Sequence, residues 1–256
     1  NTAGLFLLTG PTGCGKTTTL YSLLSGLNRV DTNIITVEEP VEYRLNGISQ
    51  VDIDPKSGLT FASAIRAILR QDPDVLLVGE IRDAETADIA VKAALTGHLV
   101  FSTLHTMDAL TTIPRLLDLG IRPSFIADTL LGAMAQRLLR RLCSDCKTLV
   151  TEPLAALEQF FQTAMQVPPA YRAIGCERCQ YTGYQGRLPV AEIVEVNDLL
   201  RAALLDGRVD MDSLRAATAG NRSLEASAAA WIVSGETTPE EAFRGLGQRF
   251  WERLHE

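Results

Sequence analysis

The sequence predicts an α/β protein with a mostly parallel sheet, a small cysteine-rich lobe and a C-terminal helical bundle. Apolar runs alternate with amphipathic stretches along the first half of the chain, a pattern typical of strands joined by helices in a parallel sheet. Two Cys-x-x-Cys pairs follow, and several helical patterns close the chain. We therefore predict a core over residues 1–142, a lobe over 143–186, and a C-terminal strand and helical region over 187–256 that packs on the core.

The chain opens with an apolar run, a glycine-rich turn and leucines at helical spacing, "GLFLLTGPTGCGKTTTLYSLLSGL". Residues 10–17, "GPTGCGKT", match the phosphate-binding pattern G-x-x-x-x-G-K-[ST] between a strand and a helix, which is the context that the pattern requires. Loop N–H groups suit phosphate oxygens, Lys16 suits the β- and γ-phosphates, and the Thr17 hydroxyl suits Mg²⁺. The predicted nucleotide contacts are Gly10, Pro11, Thr12, Gly13, Cys14, Gly15, Lys16, Thr17 and Thr18.

Two further predicted strands end in acidic side chains. "NIITVEEP" predicts a strand that ends at Glu38 and Glu39, before Pro40. "DVLLVGEIRD" predicts a buried strand that ends at Glu80, after an amphipathic helix over "TFASAIRAILRQ". Ligands of parallel sheets bind at the carboxyl ends of the strands, so these carboxylates are candidate site residues.

Gly79 stands where a nucleotide-hydrolysing strand usually carries an Asp that holds Mg²⁺. Because Mg²⁺ usually keeps several waters, a metal held by Thr17, phosphates and water needs no direct carboxylate. Glu80 then remains as the group that orients the attacking water. The alternative interpretation of Glu80 is a solvated loop charge.

The other elements of the predicted core are one hairpin, several helices and one strand. "VEYRLNGISQVDI" predicts a hairpin around Asn46-Gly47. "DAETADIAVKAALT" predicts a helix, and "HLVFSTL" predicts a strand that leads to His105. "DALTTIPRLLDLG" and "PSFIADTLLGAMAQRLLRRL" predict two helices, the second of them largely buried.

Four cysteines form two pairs, Cys143 with Cys146 and Cys176 with Cys179. Four thiolates can complete a tetrahedral Zn²⁺ shell with no open position for water, which is typical of a structural site. Disulfides are the alternative, but the sequence has no secretory signal, and a redox Cys-x-x-Cys does not ordinarily occur as two separated pairs. We predict zinc, with a short helix over "PLAALEQFFQTAM" between the pairs.

The remaining chain predicts a strand over "RLPVAEIVEV" and a bundle of helices. The helical patterns are "NDLLRAALLDG", "MDSLRAATAG", "LEASAAAWIVSGE" and "PEEAFRGLGQRFWERL". We interpret the large aromatic side chains here as core or contact residues rather than as a ligand site, namely Trp231, Phe243, Phe250 and Trp251.

Composition narrows the classes of function. A net charge of −7 with only 6% aromatic residues argues against a general nucleic-acid binder, which needs clustered basic residues and stacking platforms. Apolar runs are far shorter than the roughly 20 residues that span a bilayer, and no leader-like segment opens the chain. We therefore expect a cytoplasmic location and no nucleic-acid partner.

Four segments together resemble the Walker A, Asp box, Walker B and His box of secretion traffic ATPases, the motors of type II secretion and type IV pilus assembly. In order, they are "GPTGCGKTTTLYSLL", "ITVEEPVEY", "LRQDPDVLLVGEIRD" and "TGHLVFSTLHT". The resemblance implies a RecA-like P-loop NTPase core. A Gly-Glu ending of the Walker B strand is normal in that family, so the resemblance favours hydrolysis.

The same resemblance implies roles for single residues. It makes Glu80 the catalytic glutamate, Glu38 the Asp-box carboxylate, and His105 the His-box residue near the γ-phosphate, with His98 as the second histidine of that box. The chain departs from the commoner family "EDP" with "EEP", in which Glu39 is one methylene longer. A tetracysteine insert is similar to that of the secretion and pilus-assembly branches.

As a whole, the resemblance implies an ATP- and Mg²⁺-dependent hexameric motor, peripheral to the inner membrane, that drives pseudopilus assembly against membrane platform proteins. Type IV pilus assembly is the alternative. A nucleotide switch without turnover and a DNA translocase are further alternatives. In this family the arginines that complete catalysis lie largely in an upstream domain, so we expect weak activity from this segment alone, with Arg66 and Arg82 as local candidates.

Overall fold

The structure is a computed structural model that describes residues 3–54, 56, 58–248, 250 and 252. The chain divides into two compact units. The first comprises Asn1–Ala135 and Ile193–Asn221, and the second comprises Gln136–Glu192 and Arg222–Glu256. The division into the ranges 1–142, 143–186 and 187–256 stays a prediction.

Seven strands form one mostly parallel sheet, and two short strands form a second. The strands are β1 (Gly4–Thr9), β2 (Ile34–Glu38), β3 (Ser49–Asp52), β4 (Val75–Val78), β5 (Leu99–Leu104), β6 (Leu130–Leu142), β7 (Thr148–Leu149), β8 (Tyr171–Arg172) and β9 (Tyr184–Glu195). The large sheet has the order β3-β2-β4-β5-β1-β6-β9. Neighbouring strands from β3 to β6 pair in parallel, whereas β7 and β8 pair antiparallel. The predicted α/β class with a mostly parallel sheet is confirmed.

Ten α-helices accompany these strands in the described residues. They are α1 (Lys16–Leu27), α2 (Phe61–Ile68), α3 (Ala84–Leu95), α4 (Thr112–Asp118), α5 (Pro123–Thr129), α6 (Ala156–Met165), α7 (Asp198–Leu205), α8 (Met211–Ala217), α9 (Leu224–Val233) and α10 (Pro239–Leu246). Polar side chains cap the N-termini of several helices. Thr60 and Ser63 form a capping box at the start of α2, and the Asp83 side chain accepts a hydrogen bond from Thr86 N–H at 2.8 Å at the start of α3. The predicted helices after the core are present, but the last of them ends at Leu246, because Gly247 has a φ of 73°.

The core of the first unit lies around β1. Leu5, Leu7 and Leu8 of that strand are fully buried. One face joins β1, β2, β4 and β5 to α1 through a cluster of buried side chains, namely Leu8, Leu20, Tyr21, Leu24, Ile34, Val75, Leu77 and Phe101. A strand flanked by hydrogen-bonded neighbours and packed against a helix has little freedom to shift, so the loop after β1 has a fixed origin.

The predicted hairpin around Asn46-Gly47 is wrong. A turn does form there, with Ile48 N–H donating to Leu45 O at 3.4 Å and Gly47 at φ 76°. However, β3 follows the turn and pairs in parallel with β2, in the register Val37↔Val51. The fully buried β2 offers a free edge that a parallel strand completes, and this tertiary pairing overrides the local hairpin signal.

The predicted helix over residues 123–142 is wrong beyond its first part. Helix α5 ends at Thr129, and Leu130–Leu142 forms β6, which pairs with β1. A strand buried on both faces is a continuous apolar run, which periodicity cannot distinguish from a buried helix. Gly132 suits the strand, because a Cβ there would lie 2.8 Å from Val194 O.

Two of the four aromatic residues singled out in the tail make structural contacts. Phe250 is fully buried, and Trp231 donates from its indole nitrogen to Pro189 O at 3.0 Å. Phe243 is partly exposed, and Trp251 lies outside the described residues. None of the described helices has both the length and the apolar character needed to cross a membrane.

Helix α10 is held to β6 by one buried carboxylate. Glu241 is fully buried and accepts from the Arg140 backbone N–H at 2.8 Å, from Arg140 Nε at 2.8 Å and from Arg244 Nε at 2.7 Å. Burial alone would raise the pKa of Glu241, but the hydrogen bonds from Arg244 and Arg140 outweigh it and lower the pKa. The carboxylate therefore stays ionised in the folded protein.

We expect Glu241→Gln to lower the free energy of unfolding at pH 7 by about 2 kcal/mol, because the hydrogen bonds from the guanidinium groups of Arg140 and Arg244 lose their charged acceptor. A lowered native pKa stabilises above the unfolded-state pKa, and this contribution is lost as pH falls through the native pKa. The difference between wild type and variant should therefore shrink on acidification, as measured by urea unfolding at pH 7 and pH 4. Glu236→Gln is the control, since its partner Arg141 has a half-exposed side chain. Equal losses in both variants would contradict the role of burial.

Candidate functional site

Four adjacent strands deliver the predicted site residues to one edge of the sheet. The strands β2, β4, β5 and β1 are neighbours and parallel, so their carboxyl ends lie on the same side. Glu38 is the last residue of β2, Glu80 follows β4, and His105 follows β5. The glycine-rich loop at 10–15 follows β1. The predicted convergence of these segments at the carboxyl edge is therefore present.

The glycine-rich loop has the backbone conformation of an anion cradle. Gly13 and Gly15 lie at φ 78° and 89°, in the left-handed region that favours glycine, and Gly15 is the N-cap of α1. Helix α1 runs for 12 residues and has no acidic side chain in its first turn, so its N-terminus favours an anion. Lys16 Nζ donates to Gly10 O at 2.8 Å and to Pro11 O at 3.2 Å, which holds the ammonium over the loop. These donors fit the phosphates of a nucleotide.

The other predicted contacts of the loop differ in exposure. Pro11, Thr12 and Thr18 are exposed, and Thr17 is half-buried. Cys14 is buried, with 4% of its surface exposed, so its side chain faces the protein while its backbone belongs to the loop. A nucleotide contact of Cys14 would therefore be made by its backbone N–H rather than by its thiol.

Glu80 lies in a charged cluster with Arg82 and His105. Arg82 Nη2 pairs with Glu80 Oε1, and His105 Nε2 lies 3.3 Å from Glu80 Oε2. Burial alone would raise the pKa of Glu80, but hydrogen bonds and charge from Arg82, and then from His105, outweigh it and lower the pKa. An ionised carboxylate with one imidazole beside it can accept a proton or orient a water. Sequence spacing alone did not predict the contact between Glu80 and His105.

Glu39 belongs to the same cluster. Arg82 Nη1 lies 2.9 Å from Glu39 Oε2, so one guanidinium joins the carboxylates that follow β2 and β4. The hydrogen bond to Glu80, reinforced by both negative charges, raises the pKa of Arg82. The longer side chain of Glu39, which marks the departure from "EDP", therefore has a definite partner.

Glu38 lies in a different set of contacts. It is 4% exposed; Tyr21 donates to its Oε2, and Thr36 Oγ1 donates to its Oε1 at 2.5 Å. Gln50 Nε2 lies 3.3 Å from Glu38 Oε1. Burial, followed by the hydrogen bond to Glu38, raises the pKa of Tyr21. The carboxylate thus links β2 to α1 and to edge strand β3.

His98 lies at the other end of β5 from His105. Its Nδ1 is 2.9 Å from Ala93 O, and its backbone N–H donates to the same oxygen at 3.2 Å. These contacts close the C-terminus of α3. His98 therefore has a structural role in this chain.

Gly79 is the residue that leaves room for the neighbouring strand. A Cβ at this position would lie 3.1 Å from Val37 O and 3.4 Å from Glu38 Cα, which are both backbone atoms. Its own N–H donates to Val37 O at 2.8 Å. A side chain at this position would require the β2 backbone to move by a few tenths of an ångström, so the tight contact disfavours the usual Asp here.

The four paired cysteines converge on one point in the second unit. Their sulfur atoms all lie within 4.8 Å of one another, with Cys143–Cys176 at 3.9 Å and Cys146–Cys179 at 3.8 Å. Sulfurs about 2.3 Å from a tetrahedral zinc ion are about 3.8 Å apart, so the four residues fit Zn²⁺. None of the five cysteines, all of which lie in the described part of the chain, forms a disulfide.

Backbone and charge contacts order the two cysteine turns. Cys179 Sγ accepts from Cys176 N–H at 3.2 Å and from Gly183 N–H at 3.3 Å. Although burial opposes it, these donors lower the pKa of the Cys179 thiol to about 6, which favours the thiolate that binds metal. Arg178 Nη1 contacts both carboxylate oxygens of Asp145, at 2.9 and 2.8 Å, and so joins the turns. Sequence reasoning missed this pair.

A second missed pair lies in the spacer between the cysteine turns. Glu158 of α6 is buried and accepts from Arg172 of β8 at Nε (2.5 Å) and at Nη2. The hydrogen bonds from Arg172 lower the pKa of Glu158 against the effect of burial. The pair connects the spacer helix to the short sheet of β7 and β8.

Comparison with protein families gives one match over almost the whole chain. The family model described as "Type II/IV secretion system protein" matches residues 1–244. The type II secretion system protein HxcR of Pseudomonas aeruginosa strain PAO1 is 48% identical over 242 residues, which cover 94% of this chain and 48% of HxcR. The chain thus spans about half the length of that relative.

Two further proteins extend the comparison. The type IV pilus assembly ATPase PilB of Thermus thermophilus is 45% identical over 241 residues, which cover 93% of this chain and 27% of PilB. The solved structure of the Legionella pneumophila ATPase DotB superposes with a TM-score of 0.70 at 25% identity, covering 94% of this chain and 59% of DotB. The α/β core with its mostly parallel sheet therefore resembles that of a solved ATPase.

We expect Gly79→Asp, which restores the usual strand ending, to lower the free energy of unfolding by about 1–3 kcal/mol, because the new Cβ overpacks against the β2 backbone. Gly26→Ala is the control: it adds a Cβ with nothing within 4 Å, in the interior of α1, and should be neutral or stabilising. Thermal unfolding of both variants checks this. A Gly79→Asp protein as stable as the wild type would contradict the steric argument.

Proposed function

The chain belongs to the type II/IV secretion system protein family, and from this membership we propose that it is the ATPase motor of a secretion machine. The observation that carries the proposal is the convergence of an anion-binding loop with the Glu80–His105 pair at one edge of the sheet. Neither feature alone would suffice, since the loop is common to many nucleotide-binding proteins. Together they provide a place for the phosphates and a group to activate water.

The proposed roles follow from the donors at the edge. The loop N–H groups and Lys16 bind the β- and γ-phosphates of ATP, and Thr17 gives its hydroxyl to Mg²⁺. Mg²⁺, when bound, neutralises charge that develops on the phosphate oxygens. Glu80 orients the attacking water and accepts its proton, because its lowered pKa keeps it ionised at neutral pH. His105, which lies 3.3 Å from Glu80, is proposed to contact the γ-phosphate.

Glu38 is proposed to serve the same reaction as the Asp-box carboxylate. Its buried contacts with Tyr21 and Thr36 support a role that is exerted through the position of α1, the helix that begins with Lys16. Glu39 holds Arg82, which in turn holds Glu80. We therefore propose that both carboxylates after β2 support the site without sharing one task.

Zinc is proposed for the four cysteines as a structural ion. Their sulfur separations match a tetrahedral shell, and four sulfur donors leave no position open for catalysis. The ion would supply folding free energy to the lobe rather than chemistry.

We further propose that the motor works as a hexamer, in the cytoplasm and peripheral to the inner membrane, on platform proteins of the pseudopilus. The similarity to HxcR supports type II secretion, and the similarity to PilB keeps type IV pilus assembly as the alternative. Arginines from a neighbouring subunit or domain would complete the charge stabilisation. The rate of ATP hydrolysis per chain should therefore rise with protein concentration. A nucleotide switch without turnover and a DNA translocase are disfavoured, the latter by the net charge of −7.

The experiment that tests the function is ATP turnover with Mg²⁺ across a range of protein concentrations, for wild type and Glu80→Gln. We expect the variant to lose at least about 100-fold in kcat, because the amide cannot accept a proton. Binding of a fluorescent ATP analogue should be unchanged in the variant, since Lys16 and the loop remain.

Glu85→Gln is the matched control for that experiment. This control makes the same Glu-to-Gln change at an exposed position five residues after Glu80. The carboxylate of Glu85 pairs with the exposed Arg66 at 2.7 Å. Turnover in this control should stay near the wild-type value. Equal turnover in wild type and Glu80→Gln would contradict the role of Glu80, and binding without turnover in the wild type would favour a switch.

Removal of zinc with a chelator should loosen residues 143–179 and leave nucleotide binding intact, because the cysteines lie in the second unit and the loop lies in the first. Hydrogen exchange of the two regions, with zinc content measured beside it, checks this. Cys176→Ser should lose the bound zinc, whereas Cys14→Ser, which changes the cysteine outside the cluster, should keep one ion per chain. Collapse of all secondary structure on chelation would contradict a purely local role.

A further inference from the structure

Three threonines at or near the carboxyl ends of β1 and β5 form hydrogen bonds that connect the segments of the candidate site. We call Thr9, Thr103 and Thr106 the threonine clamp. Thr9 and Thr103 are buried, with 0% and 5% of their surface exposed, and Thr106 is half-buried. A buried hydroxyl at a strand end does not contribute much apolar packing, so its hydrogen bonds are the informative contacts.

Thr103 holds the backbone on both sides of Glu80. Its Oγ1 donates to Gly79 O at 2.8 Å, and its own carbonyl accepts from Ile81 N–H at 3.0 Å. The strand β4 ends at Val78, so regular sheet pairing has stopped one residue earlier. Side chain and backbone of this one residue therefore continue the attachment to β5 across the peptide units that flank Glu80.

Thr9 and Thr106 hold the segment that carries His105. The Thr9 hydroxyl lies 2.9 Å from both Leu104 O and Thr106 O, and it accepts from Thr106 N–H at 2.8 Å. The Thr106 hydroxyl lies 2.8 Å from the same atom. Because Thr9 is the last residue of β1, the end of the strand that leads into the phosphate-binding loop also fixes the backbone around His105.

We propose that Thr103 and Thr9 are positioning residues for the hydrolytic reaction, Thr103 acting through Glu80 and Thr9 through His105. This inference rests on the proposed function. Glu80 can activate water only if its carboxylate is held at the correct place relative to the phosphates, and a misplacement of about 1 Å can lower a rate by about 100-fold. The clamp fixes the two backbone segments from which Glu80 and His105 extend toward each other, 3.3 Å apart.

Ser102, which precedes Thr103 in β5, provides a control that distinguishes a positioning role from a general contribution to stability. Its Oγ donates to Val78 O at 2.7 Å, and it is fully buried. It therefore makes the same kind of hydrogen bond, from the same strand to the same neighbouring strand, but to a residue inside β4 rather than beside Glu80. Loss of this bond should cost stability without moving the carboxylate.

The test measures kcat, KM for ATP and thermal unfolding for wild type, Thr103→Val, Thr103→Ser and Ser102→Ala. Valine keeps the branched volume and removes the donor, whereas serine keeps the donor. We expect Thr103→Val to lower kcat at least about tenfold with KM within about twofold of wild type. Thr103→Ser should restore kcat to within about threefold, and Ser102→Ala should lower the unfolding temperature while keeping kcat within about threefold.

Thr9→Val tests the clamp from the other strand and serves if Thr103→Val does not fold. It should also lower kcat at least about tenfold, and Thr9→Ser should restore it. Folded valine variants that keep kcat within about threefold of an active wild type would overturn the positioning role alone. An equal loss of kcat in Ser102→Ala would overturn it as well. A wild type that shows no turnover would overturn the proposed function, and with it the inference.

Discussion

The site depends on the parallel register of four strands that end at one edge. In the pairs β2/β4, β4/β5 and β5/β1, the last matched positions are Val37↔Val78, Val78↔Ser102 and Leu104↔Thr9. Each strand is buried on both faces, so a slip of register would move its side chains to the opposite face, disrupt their close packing, and is strongly disfavoured. The loops that follow the strands therefore start from nearly equal heights, which brings residues distant in the sequence to one edge.

Charge at this edge is arranged around one guanidinium. Arg82 lies between Glu80 and Glu39, and its contact with Glu39 is 2.9 Å long. Arg82 contacts Oε1 of Glu80, whereas His105 contacts Oε2 of the same carboxylate. Glu80 is largely buried, and a buried carboxylate without such partners would tend to take up a proton. The paired arginine keeps it ionised, and an ionised carboxylate is the form that can accept a proton from water. The arginine thus offsets the cost of burying the charge, while burial keeps bulk water from competing for it.

The sequence predicted the elements whose signal is local and missed those that depend on tertiary pairing. The loop at 10–17 and the strand ends at Glu38, Glu80 and His105 have local patterns, and the structure has them at the predicted edge. The order of strands and the partners of each carboxylate have no such pattern. The error over 130–142 has the same origin, because a strand buried on both faces and a buried helix share one apolar pattern. The spacing of the four cysteines is a local pattern, whereas the Asp145–Arg178 pair between the turns and the Glu158–Arg172 pair in the spacer have no such pattern in the sequence.

The adjacent carboxylates Glu38 and Glu39 show how one short motif can serve two networks. In a strand, successive side chains point to opposite faces, so neighbours at a strand end meet different surroundings. Glu38 turns into the protein, where Tyr21 and Thr36 donate to it. Glu39, beyond the end of the strand, reaches Arg82. A residue in the Glu38 position is therefore constrained by the helix that follows the phosphate-binding loop, whereas one in the Glu39 position is constrained by the distance to the arginine. Glu39 lies beyond the end of β2, and its side chain reaches Arg82 at 2.9 Å. A longer acidic residue than Asp is therefore compatible with the site at this position.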